Sequence, residues 1–89
     1  MNSVTTEAFR KLLAAATPQR RAQIKRAYQL WRDNPAHPSL RFKKVHATEP
    51  IYSARVDLDW RALGILEGDT VVWFWVGPHD EYSALLRRV

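Results

Sequence analysis

The sequence predicts an α+β fold: an N-terminal helical hairpin packed on a mainly antiparallel sheet of about four strands, closed by a short C-terminal helix. Three observations predict it. Apolar residues recur at helical spacing as far as Trp31. Beyond Pro38 the period becomes alternating. An unbroken β-branched and aromatic run, Val71 to Val76, then stops at Gly77-Pro78, as a buried central strand does where proline ends its ladder.

Phe9, Leu12, Leu13 and Ala16 form one apolar stripe of a first helix, with Thr5 or Thr6 as its cap and Glu7 in its first turn. Thr17 suits a second N-cap and Pro18 the first helical position after it. Ile24, Ala27, Tyr28 and Trp31 repeat the stripe, while Arg20, Arg21, Lys25, Arg26 and Arg32 occupy the other faces. This helix should stop near Asp33-Asn34, because Pro35 disfavours helix at the residue before it.

Leu40 to Val45 alternates as a first strand of mixed character, and Ala47-Thr48-Glu49-Pro50 reads as a turn. In a second strand Tyr52, Ala54, Val56 and Leu58 share one face, and Ser53, Arg55 and Asp57 the other. A third runs from Trp60 to Leu66, with Arg61, Leu63 and Ile65 on one face. Glu67-Gly68-Asp69 is a hairpin turn into the fourth strand, on which Trp73 and Trp75 share one side as core residues. Ser83 to Leu86 form a short last helix.

Eighty-nine residues make one domain, 1–89. Cysteine is absent, which excludes a disulfide framework and a thiolate zinc site. No signal-peptide core and no run approaching about 20 apolar residues are present, so a cytoplasmic protein without a membrane partner is expected. The net charge is +5 and the pI about 10.1. The charge is concentrated: Arg20, Arg21, Lys25, Arg26, Arg32, Arg41, Lys43 and Lys44 are opposed only by Asp33. A basic half-chain points to a polyanionic partner, namely nucleic acid, the ribosome or an acidic protein.

Arg55, Arg61, His79 and Tyr82 are the residues expected to carry chemistry, flanked by Arg41, Lys43, Lys44 and His46. Arginine suits bidentate phosphate contacts, and a histidine beside it can act as acid or base in phosphodiester cleavage. Tyr82 can stack on a base or hydrogen-bond a phosphate. The set suits RNA cleavage through attack of a 2′-hydroxyl on the adjacent phosphate, with the arginines stabilising the developing charge. No metal or other cofactor is expected, since three scattered histidines and no paired-carboxylate motif offer no ligand set. Structural roles compete. Arg55 can pair with Asp57 or Asp59, His79 can cap the last helix, Tyr82 can be core with a polar tip, and His37 reads as a solvated loop residue.

Four segments carry a resemblance to a known family: residues 34–45 (NPAHPSLRFKKV), 51–56 (IYSARV), 60–62 (WRA) and 72–82 (VWFWVGPHDEY). Together they resemble the RelE/ParE toxin superfamily of bacterial toxin–antitoxin systems. No N-terminal strand of the kind many members have is evident. The resemblance implies a compact sheet with two helices on one side and a basic concave face on the other. It implies a cognate antitoxin as partner and one of two activities. RelE-like members cleave messenger RNA in the ribosomal A site without metal, using basic residues and often a C-terminal His or Tyr. ParE-like members inhibit DNA gyrase by contact. Arg55 and Arg61 match the basic strand positions. His79 and Tyr82 match the C-terminal ones at a shorter spacing than several nucleases have. The leading expectation is an endoribonuclease that binds messenger RNA and ribosome. The alternatives are a gyrase inhibitor or a basic interaction module without toxicity.

Overall fold

A computed structural model describes all 89 residues. The chain runs β1 (Asn2–Thr5), α1 (Glu7–Ala15), α2 (Pro18–Asp33), a single 3-10 turn (Pro38–Leu40), β2 (Lys43–Lys44), β3 (Ile51–Arg55), β4 (Trp60–Glu67), β5 (Thr70–Pro78) and α3 (His79–Leu86). The sheet order is β1-β5-β4-β3-β2, with β1 parallel to β5 and every other pair antiparallel. The α+β class, the two leading helices and the short last helix are as expected. The sheet has five strands where about four were expected, and the extra one is N-terminal. Four residues, Asn-Ser-Val-Thr, carry no usable periodicity. They become a strand only because β5 offers a free ladder, on which the Thr6 N–H reaches the Trp73 carbonyl at 3.0 Å.

Both helix starts follow from their caps. Thr6 Oγ1 accepts the Phe9 N–H at 3.1 Å, and Thr17 Oγ1 accepts the Arg20 N–H at 3.2 Å. The two stripes bury Phe9, Ile24 and Trp31 against Ala54, Ala62, Val71, Trp73 and Val76 on one face of the sheet. Trp31 is the keystone: it meets Trp73 edge-on at 5.3 Å and Phe42 at 5.7 Å between centroids.

Four expectations are corrected, two by local turn chemistry and two by packing. The first strand is reduced to Lys43–Lys44, because Leu40 is buried and the 3-10 turn places it there. His37 serves that turn, its Nδ1 accepting the Ser39 N–H at 3.2 Å, so it is not simply a solvated loop residue. Strand β3 ends at Arg55 rather than Leu58, because Asp57 Oδ1 accepts the N–H groups of Asp59 and Trp60 (2.9 and 3.0 Å) and turns the chain. Trp73 and Trp75 face opposite sides. A bulge between Leu63 and Gly64 pairs Gly64 with Trp73 and Leu63 with Trp75, shifting the alternation by one. Gly64 is required there, since a Cβ would lie 2.5 Å from Val71 Cγ1 and 2.9 Å from Trp73 Cε3.

The last helix begins at His79, four residues earlier than expected, with Pro78 at its cap and Asp80 and Glu81 in its first turn. It lies on the face opposite α1 and α2. Leu63, in register with Ser53 and Trp75, is only 1% exposed yet stands outside the α1–α2 core. The Tyr82 hydroxyl lies 3.5 Å from Ser53 Oγ on that same side. The helices therefore cover both faces, the second one only in part.

Candidate functional site

The β3–β4 register sets Arg55 directly opposite Arg61, and the β4–β5 register sets Arg61 opposite Gly77, two residues before His79. Cross-strand partners share a face. Arg55, Arg61 and the start of α3 thus meet at one end of the sheet, on the α3 side. One turn of helix then brings His79 and Tyr82 together, with ring centroids 5.6 Å apart. The backbone N–H of His79 donates to the Asp59 carbonyl at 2.7 Å and ties the helix start to the β3–β4 turn.

Each side chain has a distinct environment. His79 is exposed, with its imidazole free of hydrogen bonds within the chain. Tyr82 is half-buried against Ser53. Arg61 is half-buried, and its Nη1 donates to the carbonyls of Asp57 (2.7 Å) and Trp60 (3.0 Å). A guanidinium has five donors, so Nε and Nη2 remain for an anion. Arg55 is half-buried and unpaired. The competing structural role, an ion pair with Asp57 or Asp59, does not form, and Asp57 Oδ2 is taken by Arg20. Arg55 also lines a cleft of about 340 Å³ between α2 and the end of β3, with Arg26, Ala27, Leu30 and Ser39.

The flanking residues separate. Lys43 pairs with Ser53 and shares the α3 face, whereas Lys44 pairs with Tyr52 and points to the helix side. Both are exposed. Arg41 is exposed in a left-handed conformation (φ 45°) just before β2. His46 is committed locally, its Nδ1 accepting the N–H groups of Glu49 (2.9 Å) and Thr48 (3.2 Å). The structure therefore joins Arg55, Arg61, His79, Tyr82 and Lys43, and sets Lys44 and His46 apart. Sequence reasoning placed Ser53 on the face of Arg55 but not beside Tyr82. It also missed the turn 57–60 as the anchor of two site residues; the Asp-Leu-Asp-Trp string, typical of an Asx turn, is the signal for it.

This arrangement can bind a phosphate between two guanidinium groups and present an imidazole and a phenol beside it. A surface histidine open to solvent can exchange protons with a bound hydroxyl.

Comparison with known proteins gives a consistent picture. A sequence profile of the ParE-like toxin domain matches residues 19–84. No curated protein matches the sequence. Among solved structures, the fold is similar to YafQ from E. coli strain BL21(DE3), with TM-score 0.72 and 15% identity over 91% of this chain and 96% of that one. It is similar to a chain of the RelB-RelE antitoxin-toxin complex from Methanococcus jannaschii, with TM-score 0.72 and 18% identity over 92% and 96%. It is also similar to the YoeB/ParE toxin from Agrobacterium tumefaciens, with TM-score 0.69 and 12% identity over 89% and 99%.

Proposed function

The chain belongs to the ParE-like toxin domain family, within the RelE/ParE toxin superfamily, and on that premise we propose that it is the toxin of a type II toxin–antitoxin pair, acting as a ribosome-dependent endoribonuclease on messenger RNA. One observation supports the reading: strand register sets Arg55 opposite Arg61 at the end of the sheet from which α3 starts, and α3 carries His79 and Tyr82 with rings 5.6 Å apart. Two arginines held on neighbouring strands form a rigid anion seat, and strands hold such a seat more firmly than loops do.

In the proposed reaction a phosphodiester oxygen rests on Arg55 and on the free donors of Arg61. As the 2′-oxygen attacks phosphorus and the P–O5′ bond breaks, His79 either takes the 2′-hydroxyl proton or gives one to the departing 5′-oxygen, and water serves the other transfer. The products are a 2′,3′-cyclic phosphate and a 5′-hydroxyl. Tyr82 orients the RNA by stacking or by its hydroxyl. The arginines stabilise the extra charge on the pentavalent phosphorus. Lys43 and Arg41 extend the positive surface toward RNA. A cognate antitoxin silences the site by covering it with carboxylates.

The test is expression in a bacterium followed by toeprinting of translated messages. Cleavage confined to ribosome-bound messages, lost in Arg55→Ala, is expected. Intact messages with unimpaired growth would refute the reading.

A second reading rests on the ParE-like character of the matching profile: inhibition of DNA gyrase by contact, which the family resemblance also implies. It predicts loss of supercoiling in a purified gyrase assay, no message cleavage, and indifference to His79→Ala.

A further inference from the structure

The sequence counts Arg20 among the basic residues of the α2 surface, but its surroundings assign it different work. It sits in the first turn of α2, two residues after Pro18, where a positive charge opposes the helix dipole. Its guanidinium carbon lies over the Trp60 ring, 4.6 Å from the centroid, and its Nη1 pairs with Asp57 Oδ2. Both partners are largely shielded from water, with side chains 24% and 30% exposed. Its backbone is pinned as well, by the Thr17 cap.

Asp57 is a junction. Its Oδ1 holds the N–H groups of Asp59 and Trp60, and its backbone carbonyl receives Arg61 Nη1 at 2.7 Å. One residue on from Leu58, the Asp59 carbonyl receives the His79 N–H at 2.7 Å. The 57–60 turn thus anchors Arg61 directly and His79 through its backbone. Left alone, a four-residue surface turn with Leu58 74% exposed would be mobile.

We propose that Arg20 is a positioning residue: by stacking on Trp60 and neutralising Asp57 it locks the 57–60 turn, and through that turn fixes both Arg61 and the start of α3 carrying His79. The effect on cleavage rests on the function proposed above; the effect on the turn does not. Arginine suits this place better than lysine, because its delocalised guanidinium can lie over an aromatic ring while one of its nitrogens pairs with a carboxylate.

Amide hydrogen exchange, read residue by residue by NMR on the full chain, tests the clamp without any assumption about activity. In Arg20→Ala the Trp60 and His79 amides should exchange about tenfold faster, with Val71 to Val76 in β5 unchanged. Arg20→Lys should fall between the two. Asp57→Asn keeps an acceptor for the turn but removes the ion pair, and should loosen the same amides less. Exchange at Trp60 and His79 within about twofold of wild type would overturn the proposal, as would equal acceleration throughout β5, which marks general destabilisation. In parallel, message cleavage by Arg20→Ala should fall about tenfold or more through misplacement. A loss of cleavage without a change in exchange would mean that Arg20 touches RNA itself, and would also overturn the clamp. If wild type cleaves nothing, the proposed function fails while the exchange data still decide the clamp.

Discussion

The two faces of the sheet are built to opposite ends. The α1–α2 face is closed: Trp31, Trp73, Phe9 and Val71 interlock, and α2 contributes two buried residues to it. The α3 face is half open. A helix of eight residues with none fully buried covers Ser53 and Leu63 and leaves Arg55, Lys43 and His79 reachable. Apolar burial on the first face supplies most of the stability. The second can therefore hold like charges side by side, at Arg55 and Arg61, which repel in the absence of a ligand. The apolar core and the paired arginines thus lie on opposite faces of one sheet.

The sharpest way to break this division is at its keystone. Trp31→Ala should cost about 3–5 kcal/mol, a large share of the stability of a chain this size. Denaturant unfolding should show the midpoint falling to near zero, and any toxicity lost through unfolding alone. His79→Ala lies at the other extreme. It should leave the unfolding midpoint within about 0.5 kcal/mol of wild type and lower message cleavage by about 10²- to 10⁴-fold. A large stability loss there would mean that His79 is a helix-start residue first and a chemical group second.

Gly64→Ala examines the boundary between the faces. A methyl group driven into Val71 and Trp73 should cost about 1–3 kcal/mol, through repacking of the closed face. Thermal unfolding measures it, and a neutral outcome would show that Trp73 moves freely. The smallest effect separates two adjacent lysines. Lys43→Glu, on the α3 face, should weaken RNA or antitoxin binding by about tenfold and reduce its salt dependence, whereas Lys44→Glu, on the helix side, should change either by about twofold at most. Titrations at two salt concentrations check it. Equal effects of the two substitutions would place the contact along the β2 edge rather than on one face.

Much of the molecule was legible because local chemistry left few alternatives. Thr6 and Thr17 cap because their hydroxyls reach the N–H three residues on, and Pro35 ends α2 on steric grounds. Gly68 takes the positive φ of 63° that its turn requires. That Arg55 and Arg61 could share a face was readable from alternation, but their direct pairing was not, because residues 57 and 58 were read as strand where the chain turns. Those features depend on neighbours within a few residues.

What tertiary structure alone decided concerns partners far apart in the chain. Strand β1 exists because β5 lies free to pair, 68 residues on from Asn2 at Thr70. Trp75 turns away from Trp73 because a bulge absorbs one residue, and alternation counted along one strand cannot register an insertion defined against another. Asp57 takes Arg20 from α2 rather than the nearby Arg55, which leaves the Arg55 guanidinium without an ion-pair partner. Composition and periodicity settle which residues are buried and which are cationic. Which cation is spent on holding the structure, and which stays free for a ligand, depends on the three-dimensional meeting of α2 with the β3–β4 turn.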